Sequence, residues 1–309
     1  MHWLTTRFRI DLTQPRVMGI VNVTPDSFFD GGLHADTQAA LAHCEALAAA
    51  GADLLDIGGE STRPGAAAPG LDEELARVLP VLRHAVTLGL PVSVDTSRPE
   101  VMRAALDLGV DIVNDVRALQ RPGALDCLAR HPRAGVCLMH MRGEPGTMQA
   151  APVYDDVVRE VGDFLAGRVA AARDAGIDAE RIVVDPGVGF AKTAAHNVTL
   201  LARQRELLRL GRPLLVGWSR KATLGAITGR AVGDRLAASV AAALAAVQRG
   251  AAVLRVHDVA ATVDALKVWR CAAQGTMPLP QGGMTSPDTH PGQRPFAPDN
   301  RAPELDSLP

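Results

Sequence analysis

The chain has 309 residues, of which 47% are hydrophobic and 21% are charged, and its formal net charge is -2. This composition is typical of a globular protein and gives no overall attraction to nucleic acid or anionic membranes, so any anion site must be a local cluster. The apolar stretches are short and the N-terminus lacks a signal-peptide pattern, so we expect neither a membrane span nor a secretory signal. The four cysteines lack the spacing of a metal-binding pair, and we expect free thiols in a reducing cytoplasm.

Short apolar runs rich in Val, Ile, Leu and Met recur along the chain and are typical of strands covered on both faces. They occupy residues 17–22, 53–58, 91–96, 111–115, 135–140, 181–186, 213–218 and 252–257. Ala- and Leu-rich stretches with helical spacing separate them. The alternation predicts a single (β/α)₈ TIM-type barrel over residues 1–274. A doubly wound open sheet is the alternative, but the sequence has no GxGxxG between the first strand and the first helix.

The segment from residue 275 to residue 309 has a different composition. It holds eight of the 21 prolines, several glycines and almost no apolar periodicity. Such a segment buries too little apolar surface to offset the entropy lost on ordering, so we predict a disordered tail.

Polar residues stand at or just after the end of every predicted strand. They are Asn22, Asp56, Asp95 with Thr96, Asn114 with Asp115, His140, Asp185, Ser219 with Arg220 and Lys221, and Arg255 with His257 and Asp258. In a barrel these positions converge on the C-terminal face, where barrel enzymes place their active sites. Any one of them is equally compatible with a helix cap or a turn, but a polar residue on all eight ends favours a ligand site.

The residue types at these ends indicate the kind of ligand. Carboxylates and amides suit a heterocycle that presents several N–H donors and a carbonyl. Lys221, Arg255 and His257 place positive charge at the ends of the last two strands, where this fold commonly binds phosphate. The residues alone leave pterin, flavin and nucleotide fragments open.

Several longer motifs are similar to those of the dihydropteroate synthase family. They are VMGIVNVTPDSFFDGG at 17–32, DIGGESTRPGA at 56–66, VDTSRPEV at 94–101, VNDV at 113–116, DPGVGFAKT at 185–193, GWSRK at 217–221 and RVHDV at 255–259. The resemblance covers about residues 15–270 in order. It implies a (β/α)₈ barrel that condenses 6-hydroxymethyl-7,8-dihydropterin diphosphate with p-aminobenzoate, giving 7,8-dihydropteroate and diphosphate.

The resemblance also implies roles for individual residues. The pterin ring should be held by Asp95, Asn114, Asp185 and Lys221. The diphosphate should be bound by Asn22, Arg255 and His257, and Thr62 should contact the pterin diphosphate from the second loop. The p-aminobenzoate side should comprise Phe28, Arg63, Pro64, Phe190, Ser219 and Arg220. Lys221, Arg255, Asp95 and Asp185 are the implied catalytic set, and Asn22 should lie near a Mg²⁺ ion. Diphosphate is expected to leave before the amine attacks, and a homodimer through the last helices is expected.

Two positions depart from the family pattern. Phe29 stands where a serine is usual, and Ala222 replaces a serine hydroxyl near the p-aminobenzoate carboxylate. Both departures concern the p-aminobenzoate side rather than the pterin side. Two alternatives stay open on the sequence: a related methyltransferase barrel that binds methyltetrahydrofolate, and a pterin-binding paralogue without condensation activity.

Overall fold

The computed structural model describes residues 1–23, 32–60, 69–143, 147–148 and 152–275. Its strands are β1 His2–Leu4, β2 Arg9–Asp11, β3 Arg16–Asn22, β4 Leu54–Gly58, β5 Val92–Asp95, β6 Ile112–Asp115, β7 Gly135–Met139, β8 Ile182–Asp185, β9 Leu214–Val216 and β10 Ala251–Val256. Strands β3 to β10 pair in parallel, in chain order, and β10 pairs with β3 to close a barrel. The predicted (β/α)₈ barrel is therefore confirmed, and the open-sheet alternative is wrong because the sheet has no free edge strand.

Helices follow the barrel strands and surround them. They are α1 Gly32–Ala49, α2 Leu71–Ala85, α3 Pro99–Asp107, α4 Ala124–Arg130, α5 Val157–Asp174, α6 Ala194–Ala202, α7 Ala222–Thr228, α8 Leu236–Val247 and α9 Val259–Gln274. Local chemistry sets several starts: Pro99 begins α3 where its missing N–H costs nothing, and Asp156 and Thr193 accept hydrogen bonds from the first turns of α5 and α6.

Two apolar layers hold the barrel. The outer layer lies between the strands and the surrounding helices, with fully buried side chains such as Val78, Val101 and Leu165. The inner layer fills the barrel itself and includes Met18, Leu54, Ile112, Cys137, Val183, Leu215 and Val253. The interior is thus a packed core on which a site can stand, rather than a pore.

The sequence analysis did not predict the antiparallel pair of β1 and β2. Trp3 on β1 is fully buried within the inner layer, and its indole N–H donates to the carbonyl of Arg181 at 2.9 Å. Gly135 allows this approach, because a Cβ there would lie 2.9 Å from Trp3 Nε1. Arg181 and Gly135 lie at the starts of β8 and β7, so the hairpin covers the end of the barrel opposite the strand termini that carry the polar residues.

The chain divides into two compact units, residues 1–270 and residues 271–309. The second includes the last residues of α9 up to Gln274. The predicted disordered tail spans residues 275–309, and all of it except Gly275 lies outside the described residues. No helix in the described part of the chain is long and apolar enough to cross a membrane.

Candidate active site at the C-terminal end of the barrel

The polar site follows directly from the alternation of side chains along the barrel strands. Inward-facing residues recur every second position, so the next inward layer lies two residues beyond the apolar one. That layer comprises Ile20, Asp56, Asn114, Met139, Asp185, Gly217 and Arg255, each two residues after a member of the inner core. Asp95 on β5 pairs in register with Asn114 on β6 and joins the layer.

Arg255 is at the centre of this layer and binds two carboxylates. Its Nε donates to Asp56 Oδ2 at 2.6 Å, and its Nη2 donates to Asp95 Oδ2 at 2.7 Å. Asn114 Nδ2 donates to the same oxygen of Asp56 at 3.1 Å. Although burial lowers it, the carboxylates raise the pKa of Arg255 above its usual value, so the guanidinium stays charged. Four strands are joined by this network.

Two of the site carboxylates bind protons unusually well. Burial raises the pKa of Asp95 to about 7, against the lowering effect of Arg255. Burial also raises the pKa of Asp185 to about 6, opposed by a hydrogen bond from Gly187 N–H and by the charge of Lys221. Strongly perturbed pKa values cluster at functional sites, so these two carboxylates are candidates for ligand contacts.

Lys221 follows β9, immediately before α7, and contacts an aromatic ring. Its Nζ is 4.4 Å from the centre of the Phe190 ring. Gly189 has a φ of +82°, and a Cβ there would lie 3.1 Å from Lys221 Cδ, so the loop after β8 approaches the lysine stem closely. Burial and Arg255 lower the pKa of Lys221 to about 8, while Asp185 and Asp95 raise it. The ammonium is therefore charged at neutral pH and lies within electrostatic range of both carboxylates.

His257, Ser219 and Arg220 form the adjoining edge of the site. His257 Nδ1 is 3.0 Å from Ser219 Oγ, and Arg220 forms a bidentate pair with Asp258, with a shortest distance of 2.6 Å. Burial and the charges of Arg220 and Arg255 lower the pKa of His257 to about 4. The imidazole of His257 is therefore neutral at pH 7, in contrast to the positive charge expected from the sequence.

The turn alternative fits the strand-end carboxylate of Asp115, whereas neither Asp95 nor Asp185 caps a helix. Asp115 accepts from Ser97 Oγ at 2.6 Å, Arg117 N at 2.8 Å and Leu119 N at 2.7 Å, so it organises the turn after β6. Asp185 accepts from Gly187 N at 2.7 Å, but α6 begins later and is capped by Thr193. Asp95 binds Arg255 and caps no helix, leaving both Asp95 and Asp185 available to a ligand.

Asn22 ends β3 on the rim of the barrel, in register with Gly58 on β4. No hydrogen bond engages its side chain among the residues that the structure describes, so its amide is available to a ligand. Within the same residues there is no cluster of three or more His, Cys, Asp or Glu side chains suited to a metal ion. Phe28 and Phe29 of the first loop, and Thr62, Arg63 and Pro64 of the second, lie outside the described residues.

Side-chain contacts within this site were not predicted from the sequence. Asp56 was recognised as a strand-end residue, but its pairing with Arg255 joins positions 199 residues apart. Lys192 forms two further contacts: its Nζ lies 2.8 Å from His140 Nδ1 and donates to the Phe190 carbonyl at 3.0 Å. Lys192 lies inside a recognised motif, but no sequence pattern indicates that its side chain turns inward.

The sequence of the chain is similar to those of known pterin-binding proteins. The model of the family described as pterin binding enzyme matches residues 18–257. The dihydropteroate synthase of Neisseria meningitidis serogroup B is 54% identical over 273 residues, which cover 86% of this chain and 96% of the relative.

Solved structures give the same result. The dihydropteroate synthase of Xanthomonas albilineans with 4-aminobenzoic acid is 57% identical, with a TM-score of 0.82, over 87% of this chain and 96% of that one. The same enzyme in complex with 7,8-dihydropteroate matches with a TM-score of 0.81 and 52% identity, over 89% of this chain and all of that one. These neighbours share the fold of this chain over most of its length.

Proposed function

The chain belongs to the dihydropteroate synthase family of pterin-binding enzymes, and from that membership we propose how its barrel binds two substrates and joins them. The reaction condenses 6-hydroxymethyl-7,8-dihydropterin diphosphate with p-aminobenzoate to give 7,8-dihydropteroate and diphosphate. The observation that carries the proposal is the inward layer that combines Asp95, Asn114 and Asp185 with the cations Arg255 and Lys221.

The pterin ring is held by the fixed part of the site. Asp95 and Asp185 accept from the ring N–H groups, Asn114 supplies both a donor and an acceptor, and the Lys221 ammonium donates to the ring carbonyl. Strands β5, β6 and β8 hold Asp95, Asn114 and Asp185, and Lys221 immediately precedes α7. These positions are set before substrate arrives, which reduces the ordering cost of binding.

The p-aminobenzoate side is formed by Phe190, Ser219 and Arg220, which adjoin Lys221 along the loops after β8 and β9. Phe190 offers an apolar face to the ring of the substrate, and Arg220 offers a guanidinium suited to a carboxylate. The contributions of Phe28, Thr62, Arg63 and Pro64 stay predictions from the sequence.

The diphosphate lies beside Arg255, His257 and Asn22. Arg255 stabilises negative charge on the leaving group as the bond to the pterin methylene breaks, and the methylene cation is delocalised into the ring. The amine of p-aminobenzoate then attacks the methylene, so the protein needs no nucleophile of its own. Neutral His257 can donate a hydrogen bond to a diphosphate oxygen through the ring nitrogen that does not face Ser219.

We propose that a Mg²⁺ ion binds beside Asn22. Mg²⁺ takes oxygen ligands and usually keeps several waters alongside substrate phosphates, so the amide oxygen of Asn22 can supply one position of its shell. When bound, the ion would neutralise charge on the leaving diphosphate. Its dependence on Asn22 is testable by titrating Mg²⁺ against diphosphate binding in wild-type protein and in Asn22→Ala.

Release of diphosphate tests the whole proposal. Purified protein is given pterin diphosphate alone, p-aminobenzoate alone, or both, and diphosphate is measured together with 7,8-dihydropteroate. We expect stoichiometric formation of both products only when both substrates are present. Pterin binding without product formation would identify a non-catalytic paralogue.

A homodimer through α8 and its neighbours is supported by apolar exposure. Helix α8 is built almost entirely of Ala, Leu and Val, and Leu236 at its start is 46% exposed. Ile227 on α7 and Val232 before α8 are 62% and 60% exposed. Leu236→Glu should yield monomers in light scattering, whereas Val153→Glu, at a 73% exposed position after β7, should leave the mass unchanged.

The four free cysteines support a reducing, cytoplasmic location.

A further inference from the structure

Lys192 is a buried lysine that is not among the pterin or p-aminobenzoate contacts proposed above. It is 3% exposed and lies in the loop between β8 and α6. Its ammonium lies 2.8 Å from His140 Nδ1, 3.0 Å from the Phe190 carbonyl and 3.5 Å from the His140 carbonyl. These acceptors satisfy all three of its N–H groups and leave none for a substrate.

The partners of Lys192 belong to two different segments of the site. His140 follows the last residue of β7, and its backbone N–H donates to the Asp185 carbonyl at 2.9 Å. Phe190 belongs to the loop after β8, and its ring lies against the Lys221 ammonium. Lys192 therefore joins the end of β7 to the loop that carries the aromatic wall of the site.

The loop after β8 is closely packed and contains residues with positive φ. Gly187 has a φ of +69°, and a Cβ there would collide with the His140 carbonyl and lie 3.4 Å from Lys192 Nζ. Ala191, next to Lys192, also has a positive φ, of 50°, and its carbonyl accepts from Tyr154 Oη at 3.0 Å. A strained turn of this kind persists where the surrounding contacts define it, and the ammonium is the contact at its centre.

We propose that Lys192 is a positioning residue of the active site: its buried ammonium fixes the loop after β8 to His140, holds the Phe190 ring against Lys221, and places a positive charge behind the Asp185 carboxylate. This inference rests on the proposed roles of Phe190 and Asp185 as substrate contacts. It adds a residue that acts through them without touching either substrate.

The charge has a consequence for Asp185. Burial lowers the pKa of Lys192 to about 7, while Asp185 raises it, and Lys192 in turn is one of the cations that lower the pKa of Asp185. The charged groups that act on this pair are Lys221 from the loop after β9, Arg255 from β10 and Arg142 from the loop after β7. His140 is neutral, because burial lowers its pKa to about 2. Lys192 carries its charge below about pH 7, the range in which Asp185 titrates. Removing that charge should therefore move the acidic loss of pterin affinity to higher pH.

The test uses Lys192→Met, which keeps the stem and removes the donors and the charge. Lys192→Gln retains an amide NH₂ donor group without the charge. Arg181→Gln is the matched control: Arg181 is a buried cation at the other end of β8 that donates to the carbonyls of Ala134, His131 and Leu128 at 2.7–3.0 Å. Thermal unfolding, the KM values for both substrates, kcat, and pterin affinity from about pH 5.5 to pH 9 are measured for each.

We expect Lys192→Met to raise both KM values about tenfold or more, since buried acceptors lose their donor, and to shift the acid limb of pterin affinity upward in pH. Lys192→Gln should show the same pH shift with a smaller change in the KM for p-aminobenzoate. The control should lose thermal stability with unchanged KM values and pH profile. In a Phe190→Ala background, Lys192→Met should no longer change the KM for p-aminobenzoate, because the ring it positions is gone.

The inference is overturned if the Lys192 variants resemble the control, with lower stability but unaltered KM values and pH profile. It is also overturned if neither Lys192 variant folds while Arg181→Gln does, because the lysine would then be purely structural. Wild-type protein that forms no product would instead reject the proposed function, and the pterin affinity series would still report on Lys192.

Discussion

Arg255 Nε donates to the fully buried carboxylate of Asp56 at 2.6 Å, so the guanidinium proposed to meet the diphosphate is held on its inner side by β4. The second contact, to Asp95, joins the same guanidinium to the proposed pterin site. Asp56 Oδ1 is buried without a hydrogen-bond partner among the described residues. Arg255 therefore links the two halves of the pterin diphosphate site, and Asp56 sets its direction.

Asp56→Asn should lower kcat/KM for pterin diphosphate about tenfold or more, because breaking a buried ion pair leaves Arg255 less well compensated and less well oriented. Asp53→Asn is a suitable control, since Asp53 lies just before the same strand and pairs with half-buried Arg16 at 3.1 Å. Steady-state kinetics and thermal unfolding of both variants decide the matter. Similar kinetics for the two would show that Asp56 does not orient Arg255.

Arg255→Ala is expected to reduce kcat/KM for pterin diphosphate far more than it reduces binding of the diphosphate-free pterin. The arginine stabilises charge that develops on the leaving group, whereas the ring keeps its contacts with Asn114 and Asp185. Calorimetry with the two ligands, alongside kinetics, measures the difference. Equal losses for both ligands would show that Arg255 only maintains the structure of the site.

The strand-end residues could be predicted from sequence, and the contacts among them could not. Because the carboxyl ends of parallel strands meet at one face, Asp95, Asn114 and Asp185 were predictable from their positions after apolar runs. The partner of Asp56 was not predictable, because it lies on the last strand and is chosen by barrel closure. The same holds for Trp3, whose short hairpin covers the barrel only once the strand starts are assembled.

Asp185→Asn should weaken pterin binding by about 1–3 kcal/mol, because an amide cannot accept from the ring N–H groups at both positions. Its melting temperature at pH 8 should be unchanged or higher. The folded-state pKa of Asp185 is raised to about 6, so its stabilising contribution is complete below the unfolded value of 3.8 and is lost as pH rises through 6. Ionised Asp185 therefore disfavours folding at pH 8, and the amide removes that cost.

Asp115→Asn is the contrasting variant for Asp185. Asp115 is also buried and its pKa is also raised by burial, but its oxygens accept three hydrogen bonds within the turn after β6. It should lose thermal stability with a smaller effect on pterin affinity. A reversal of the two results, with Asp185→Asn losing stability and keeping affinity, would identify Asp185 as a turn residue.

Pterin affinity should be highest between the pKa values of the carboxylates and of the lysine. Below about pH 7 Asp95 gains a proton, and below about pH 6 Asp185 follows, so acceptors for the ring N–H groups are lost. Above about pH 8 Lys221 loses its charge and binds the ring carbonyl less strongly. Calorimetric affinity of the diphosphate-free pterin measured across this range should be bell-shaped. Lys221→Met should bind pterin more weakly and lose the alkaline limb of the profile. An unchanged alkaline limb would show that another group causes it.

Pterin diphosphate is expected to bind before p-aminobenzoate gains measurable affinity. The pterin contacts on β5, β6 and β8 are fixed by strand register and by the network of Arg255. On the p-aminobenzoate side, Arg220 is already engaged by Asp258 in a bidentate pair, so the substrate carboxylate must compete with an intramolecular one. The other predicted contacts, Phe28, Arg63 and Pro64, come from loops outside the described residues.

Calorimetry of p-aminobenzoate distinguishes the two orders of binding. The titrations use the free enzyme, the enzyme with diphosphate-free pterin, and the enzyme with pterin, diphosphate and Mg²⁺. We expect heat of binding only in the last case, because the anionic group occupies Arg255 and His257 and brings the second substrate's contacts together. Affinity for the empty enzyme equal to that for the loaded one would show that the described wall of Phe190, Ser219 and Arg220 is sufficient, and that Asp258 does not oppose the substrate carboxylate.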